Sequence, residues 1–266
     1  MPEKSPVPIL SFILAFILIS LACAIAEPVP TGTPHPSATG TAVPTKTSTP
    51  SPTPTPTQTP DATATQQAAE RNAEVRTYFD KGYLATTEGE FIELEDFSLD
   101  WAQLGWYNWL RLGDVASDFF LSAHFKWDSA FRNSDISGCG LIFALQENDD
   151  HYAVFLDRSK VFFLITDRSL GYSRPVGTTR GTGRVKFDYP AEADFTLAVK
   201  DNSAYVLVNG EFVGEYTLAR SRPIHGTLGL TVLSGTNRGY GTRCEMTNMR
   251  LWIANQQNWS CACGGS

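Results

Sequence analysis

An all-β, antiparallel sandwich or barrel is the fold class predicted for residues 87–254, and three observations predict it. Short apolar runs recur at 90–95, 105–112, 118–127, 139–146, 151–157, 160–166, 194–200, 203–209, 211–217, 226–234 and 243–253. They are rich in aromatic and β-branched residues, and Gly, Asn and Asp punctuate them. No long 3.6-residue period separates them, which argues against alternating strands and helices. About 170 residues are enough for one sizeable core.

What precedes that domain predicts its surroundings. The run Ile9–Ala26 carries no charge and is just long enough to span a bilayer. Residues 1–26 are therefore expected to be a signal peptide or a membrane anchor. Ser20-Leu21-Ala22-Cys23 resembles a lipobox, which would make Cys23 a lipidation site. Ala24-Ile25-Ala26 offers an ordinary A-x-A cleavage site instead, and an uncleaved anchor is the third outcome. All three export the chain, leaving it membrane-anchored or extracellular.

Residues 27–64 read as a disordered Pro/Thr stalk. Of 16 prolines, ten lie between Pro28 and Pro60. The repeat from Pro50 to Thr57 has no apolar surface to bury, and its prolines hold φ near the polyproline II value. At about 3.1 Å per residue such a spacer reaches on the order of 100 Å. Asp61 then offers an N-cap, and Ala68, Ala69, Ala73, Val75 and Phe79 predict a short helix over 65–80. Its thin apolar face suits a stalk extension whose last turn packs on the domain. Residues 255–266 read as a flexible tail containing Cys261-Ala-Cys263.

Within the domain the clearest hairpin is Ala204 to Val213, with Asn209-Gly210 at the two positive-φ positions of a type I′ turn. Four segments, in order, resemble the concanavalin A-like (laminin G-like) jelly-roll superfamily, notably stalked domains of exported bacterial proteins. They are Ser137–Phe143, Asp150–Leu156, Tyr205–Val213, and Gly226–Leu230 followed by Thr247–Trp252. Thr247 stands where that family commonly has aspartate. The resemblance spans about Asp118 to Ile253 and implies a two-sheet jelly-roll sandwich. It implies little about activity, because one fold hosts many functions.

Cys139 and Cys244 each begin a candidate strand. In an oxidising compartment they either form a disulfide, closing a loop worth ~4–5 kcal/mol, or remain buried thiols on strands that never meet.

Chemistry-bearing patterns are few. Glycosidases of the resembled superfamily carry an E-x-D-x-x-E strand, whereas Glu90-Phe-Ile-Glu93-Leu-Glu95 lacks that motif. Ser137–Ala144 also resembles a strand of the 3-keto-disaccharide hydrolase-like group, yet that group's E-x-Q segment has no counterpart before the turn at Gln146-Glu147-Asn148. The 4 His are scattered, and Asp149, Asp150 and Asp157 suit a polar turn better than a calcium site. No catalytic residue, metal site or cofactor is assigned. A net charge of −7, with no dense basic face, argues against nucleic acid.

Two surfaces remain as ligand-binding candidates. Trp101, Trp106, Tyr107 and Trp109 either fill the sandwich core or present rings to sugar faces, with Tyr107 and Trp109 on one side of a strand and Trp106 on the other. Between Arg168 and Lys186, Tyr172 and Arg174 lie among glycines and further arginines, an arrangement either solvated or suited to an anionic glycan. Trp106, Trp109, Tyr172, Arg174, Arg238 and Tyr240 form the candidate set. The expected function is a non-catalytic binding module for a glycan or cell-surface polymer, tied to the membrane through the N-terminal segment. A sugar-processing hydrolase and a structural ectodomain are the alternatives.

Overall fold

A computed structural model describes residues 62–131, 136–158, 160–183 and 189–255. Ile9–Ala26, Cys23, the Pro/Thr tract and the 256–266 tail lie outside the described residues. The described chain begins with α1 (Ala62–Asp80), then β1 (Gly89–Glu93), β2 (Phe97–Trp101), β3 (Trp106–Ala116) and β4 (Phe119–Ser129). There follow β5 (Gly138–Leu145), β6 (His151–Asp157), β7 (Lys160–Asp167), β8 (Tyr172–Pro175) and β9 (Arg180–Gly181). The last strands are β10 (Ala191–Lys200), β11 (Ser203–Val208), β12 (Glu211–Thr217), β13 (Gly226–Ser234) and β14 (Thr242–Ala254).

These strands form two seven-stranded sheets. The first runs β1-β14-β4-β10-β11-β12, with β2 also on β14. The second runs β3-β13-β5-β6-β7-β8, with β9 also on β7. The fold is an antiparallel two-sheet jelly-roll sandwich.

Pleating explains which residues meet between the sheets, since successive side chains point to opposite faces. In β4, Phe119, Leu121, Phe125 and Trp127 enter the shared core, while Phe120 points out. In β6, Tyr152, Val154 and Leu156 enter that core, while Ala153 and Phe155 point out. Burying each such large side chain stabilises by about 1.5–3 kcal/mol, so a few of them match the whole net stability of a domain. In β14 a register shift between Thr247 and Arg250, with Asn248 at φ 52°, changes the phase of the alternation. Met246 faces the core before it, and Met249 and Leu251 after it. At the β11–β12 hairpin, Asn209 and Gly210 have φ values of 51° and 75°, as a type I′ turn requires.

A disulfide joins Cys139 of β5 in the second sheet to Cys244 of β14 in the first, with Cα atoms 5.4 Å apart and a sequence separation of 105. It ties the two layers within their shared core, where both cysteines are fully buried.

The outer face of the first sheet is covered by α1. Arg71, Glu74, Val75 and Tyr78, at helical spacing, are the positions withdrawn from solvent. Val75 and Leu84 bury against Phe120, Ala198 and Trp252, with Tyr78 stacked edge-on against Phe120 at 4.9 Å. Glu74 and Arg250 pair at 2.8 Å, and Arg71 pairs with Glu93. The helix ends in a Schellman cap: Tyr83 N–H donates to the Tyr78 carbonyl, Gly82 N–H to that of Phe79, and Gly82 takes φ 80°.

Replacing Cys139 and Cys244 together by alanine is expected to lower unfolding free energy by about 2–5 kcal/mol, because the loop they close is long. Urea denaturation compared with the parent chain checks this. A loss under ~1 kcal/mol would mean that the reduced sheets are already held as firmly.

Candidate functional site

The second sheet meets solvent differently. On its outer face a cleft of about 540 Å³ opens between β3, β7 and β8. Its floor is Phe162, Leu164 and Leu233, and Tyr107 and Trp109 stand beside them. Trp106, 56% exposed, and Tyr172, 46% exposed, lie at the mouth. The outward positions of β5 and β6 are also apolar, so Ile142, Ala153 and Phe155 pack beneath these rings instead of facing water. Tyr107 and Phe155 have ring centroids 5.3 Å apart.

One hydrogen-bonded chain of polar groups crosses this apolar surface. The Asp149 carbonyl only accepts, so Nδ1–H of His151 donates to it at 2.7 Å. That leaves Nε2 of His151 to accept from the Tyr107 hydroxyl at 2.8 Å. The Tyr107 oxygen in turn accepts from Thr166 at 2.7 Å, and Thr166 accepts from Ser173 at 2.8 Å. Every proton in the series has a taker, and the carbonyl at one end orients it. Burial lowers the pKa of His151, against opposing contributions from the Asp149 carbonyl and the charges of Asp149 and Asp150; the Arg168 charge lowers it further. Burial also raises the pKa of Tyr107. At neutral pH the series therefore carries no net charge.

The turns around the cleft are braced by a second set of contacts. Arg222 pairs with Asp150 at 2.8 Å and with Asp167, all three largely withdrawn from solvent. Asp150 also accepts from Arg168 N–H at 2.8 Å. Asp167 accepts from the Ser169 hydroxyl and from Leu170 N–H, at 2.7 and 3.0 Å. The Ser169 bond is the main reason the Asp167 carboxyl sits below its ordinary pKa. Asp167 is thus held as an anion and fully engaged.

Three of the six candidate ligand-binding residues, Trp106, Trp109 and Tyr172, line the cleft. Trp106 does so although it precedes Tyr107 by one position, because it stands at the start of β3 beside the loop of Leu104 and Gly105. Arg174 pairs with Ile165, which faces the inter-sheet core, whereas the neighbouring pair of Ser173 and Thr166 faces the cleft. Arg174 is therefore on the other side of β8. Arg238 and Tyr240 lie in the turn before β14. There the Arg238 guanidinium covers the Phe131 ring at 4.1 Å and the Tyr240 hydroxyl donates to Asp128 at 2.8 Å. Tyr240 thus touches Asp128 and Arg243, which line a smaller hollow of about 200 Å³, and neither Arg238 nor Tyr240 lines the aromatic cleft.

Other sequence candidates resolve into structural roles. Glu93 pairs with Arg71, Asp149 with Arg111, and Asp157 with Arg158 and Ser137 N–H. Gln146 ties the carbonyls of Ala144 and His225. Among the described residues no three His, Cys, Asp or Glu side chains are grouped as metal ligands. His151, Thr166, Ser173 and Arg222 were not singled out from sequence. His151 alone carried a signal, as the polar residue that opens the apolar run from Tyr152 to Leu156.

An unfolded histidine takes up its proton near 6.5, and His151 in the fold takes it up only at lower pH. Below about pH 6.5 the unfolded chain binds the extra proton, so stability falls with falling pH. The urea midpoint is expected to drop from pH 7 to pH 5, and the drop should shrink in His151→Gln. Equal slopes for the two proteins would count against a neutral, buried His151.

Neither a family model nor a curated protein sequence matches the chain. Solved structures similar to it include the carbohydrate binding module CBM66 from Bacillus subtilis, at 12% identity over 60% of this chain and 94% of that one, TM-score 0.44. Sheep galectin-11 in complex with glycerol is similar at 9% identity over 56% and 98%, TM-score 0.36. Bacillus licheniformis β-glucanase is similar at 11% identity over 55% and 70%, TM-score 0.38.

Proposed function

We propose that the protein is an exported, non-catalytic binding module for a glycan or cell-surface polymer, and that sugar rings enter the aromatic cleft of the second sheet. The observation that carries this reading is the gathering of Trp106, Tyr107, Trp109 and Tyr172 around one opening of about 540 Å³. That volume suits one or two saccharide rings, and sites of this size with aromatic walls are typical of small-ligand pockets. Aromatic faces match the apolar faces of pyranoses, while indole N–H and phenol groups supply polar edges.

Lack of catalysis is supported by the acids near the cleft. Glycoside hydrolysis calls for two carboxyl groups, about 5–5.5 Å or 6.5–9.5 Å apart on either side of the bond. Among the described lining residues Asp167 is the one carboxylate, and Arg222, Ser169 and Leu170 already occupy it. Export is supported by the Ile9–Ala26 run and the Pro/Thr tract. The Cys139–Cys244 bond agrees with it, since such bonds persist in oxidising compartments. Lipidation at Cys23 would hold the module at the membrane.

Glycan-array binding followed by titration calorimetry tests the site. Trp106→Ala, which removes an exposed ring, is expected to weaken binding about 3–10-fold, and Trp109→Ala by a similar factor, at ~0.5–1.5 kcal/mol per ring. A folded Trp106→Ala protein that binds every glycan as well as the parent would exclude the cleft mouth as the site.

A further inference from the structure

We infer that the sugar taken by the cleft is acidic, a pyranose carrying a carboxylate or sulfate that pairs with Arg168; this rests on the saccharide reading of the site. Most side-chain acceptors are engaged, the Ser173 oxygen at the end of the series being the exception. Nε2 of His151 is taken by Tyr107, the Tyr107 oxygen by Thr166, and the Thr166 oxygen by Ser173. Asp167, the carboxylate among the described lining residues, is taken by Arg222, Ser169 and Leu170.

The other unspent side-chain groups donate. Arg168 lines the cleft, is exposed, and its guanidinium has no ion pair or hydrogen bond among the described residues. The indole N–H groups of Trp106 and Trp109 likewise have no hydrogen-bond partner among them. An opening whose free groups are N–H donors beside aromatic rings matches a ligand with an apolar ring face and an acceptor-rich, anionic edge. Neutral sugars offer hydroxyls that need acceptors as well as donors, and the cleft has few left to offer.

The backbone beneath Arg168 is held in place before any ligand arrives. Its N–H is fixed by Asp150, and Arg222 clamps Asp150 and Asp167 on either side of it in space. The following residues are fixed by the Asp167 carboxylate and by Gly171 N–H to the Arg168 carbonyl at 3.2 Å. A turn so braced lowers the entropy lost when its arginine engages an anion. The guanidinium fork then provides two parallel hydrogen bonds to a carboxylate or sulfate. In a chain of net charge −7, Arg168 is a local cation without a local partner among the described residues.

The test uses the full-length chain in mild detergent. Calorimetry compares oligogalacturonate, a sulfated galacto-oligosaccharide and a neutral galacto-oligosaccharide of equal length. At least one acidic probe is expected to bind tenfold or more tightly than the neutral one, with affinity falling as salt rises. The better acidic probe identifies the anion. Arg168→Ala should bring the acidic probe down to the level of the neutral one, and Arg168→Lys should restore only part, because an ammonium cannot form the fork. Equal or tighter binding of the neutral probe, or an acidic preference that survives Arg168→Ala, overturns the inference and leaves a sugar site in the cleft. A folded chain that binds none of the three, and no other saccharide on an array, overturns the saccharide reading as well.

Discussion

Commitment of both sheets to one shared core is the constraint from which the rest follows. Once Phe119, Leu121, Tyr152 and Val154 turn inward, pleating sends Phe120, Ala153 and Phe155 outward. Each sheet then has apolar side chains on the face that should meet water, and each handles them differently. The first sheet is closed by the second half of α1. The second is walled by its own aromatics and left open as a cleft. An apolar, concave opening of this kind on a folded domain is where a ligand is expected.

The polar groups in that cleft obey the same economy. A hydroxyl or imidazole buried among rings costs stability unless it is bonded. The series Ser173, Thr166, Tyr107 and His151 solves this with neighbours on β8, β7, β3 and β6, where Tyr107 of β3 lies 44 and 59 positions from His151 and Thr166 in sequence. Satisfying these groups internally also decides what the cleft can offer a ligand. The largely withdrawn trio of Arg222, Asp150 and Asp167 does the equivalent for the turns, where removal of one partner would leave an uncompensated charge.

Much of the fold was legible because β4, β10 and β13 follow simple strand patterns between turn residues, and Asn209-Gly210 names its own turn. Strand β2 was missed, being five residues with an aspartate inside; β8 was missed because Tyr172–Pro175 is exposed throughout and has no apolar face. In β5 and β6 every residue is buried, so no alternation betrays which side chains point to the cleft. Trp106, Trp109 and Tyr172 were legible as large aromatics in a polar setting. The hydrogen-bonded series was not, because Thr166 and Ser173 look ordinary until a sheet places them against Tyr107. Arg238 and Tyr240 had the right residue types, but the turn before β14 puts them beside Phe131 and Asp128.

Helix α1 lies on the outer face of the first sheet, and the cleft opens from the outer face of the second. The described chain therefore joins the sandwich through the contact of Tyr78 and Val75 with Phe120 and Trp252, on β4 and β14. The disulfide between β14 and β5 ties that face covalently to the sheet that bears the cleft. The helix thus occupies the outer surface opposite the aromatic walls and leaves the opening uncovered.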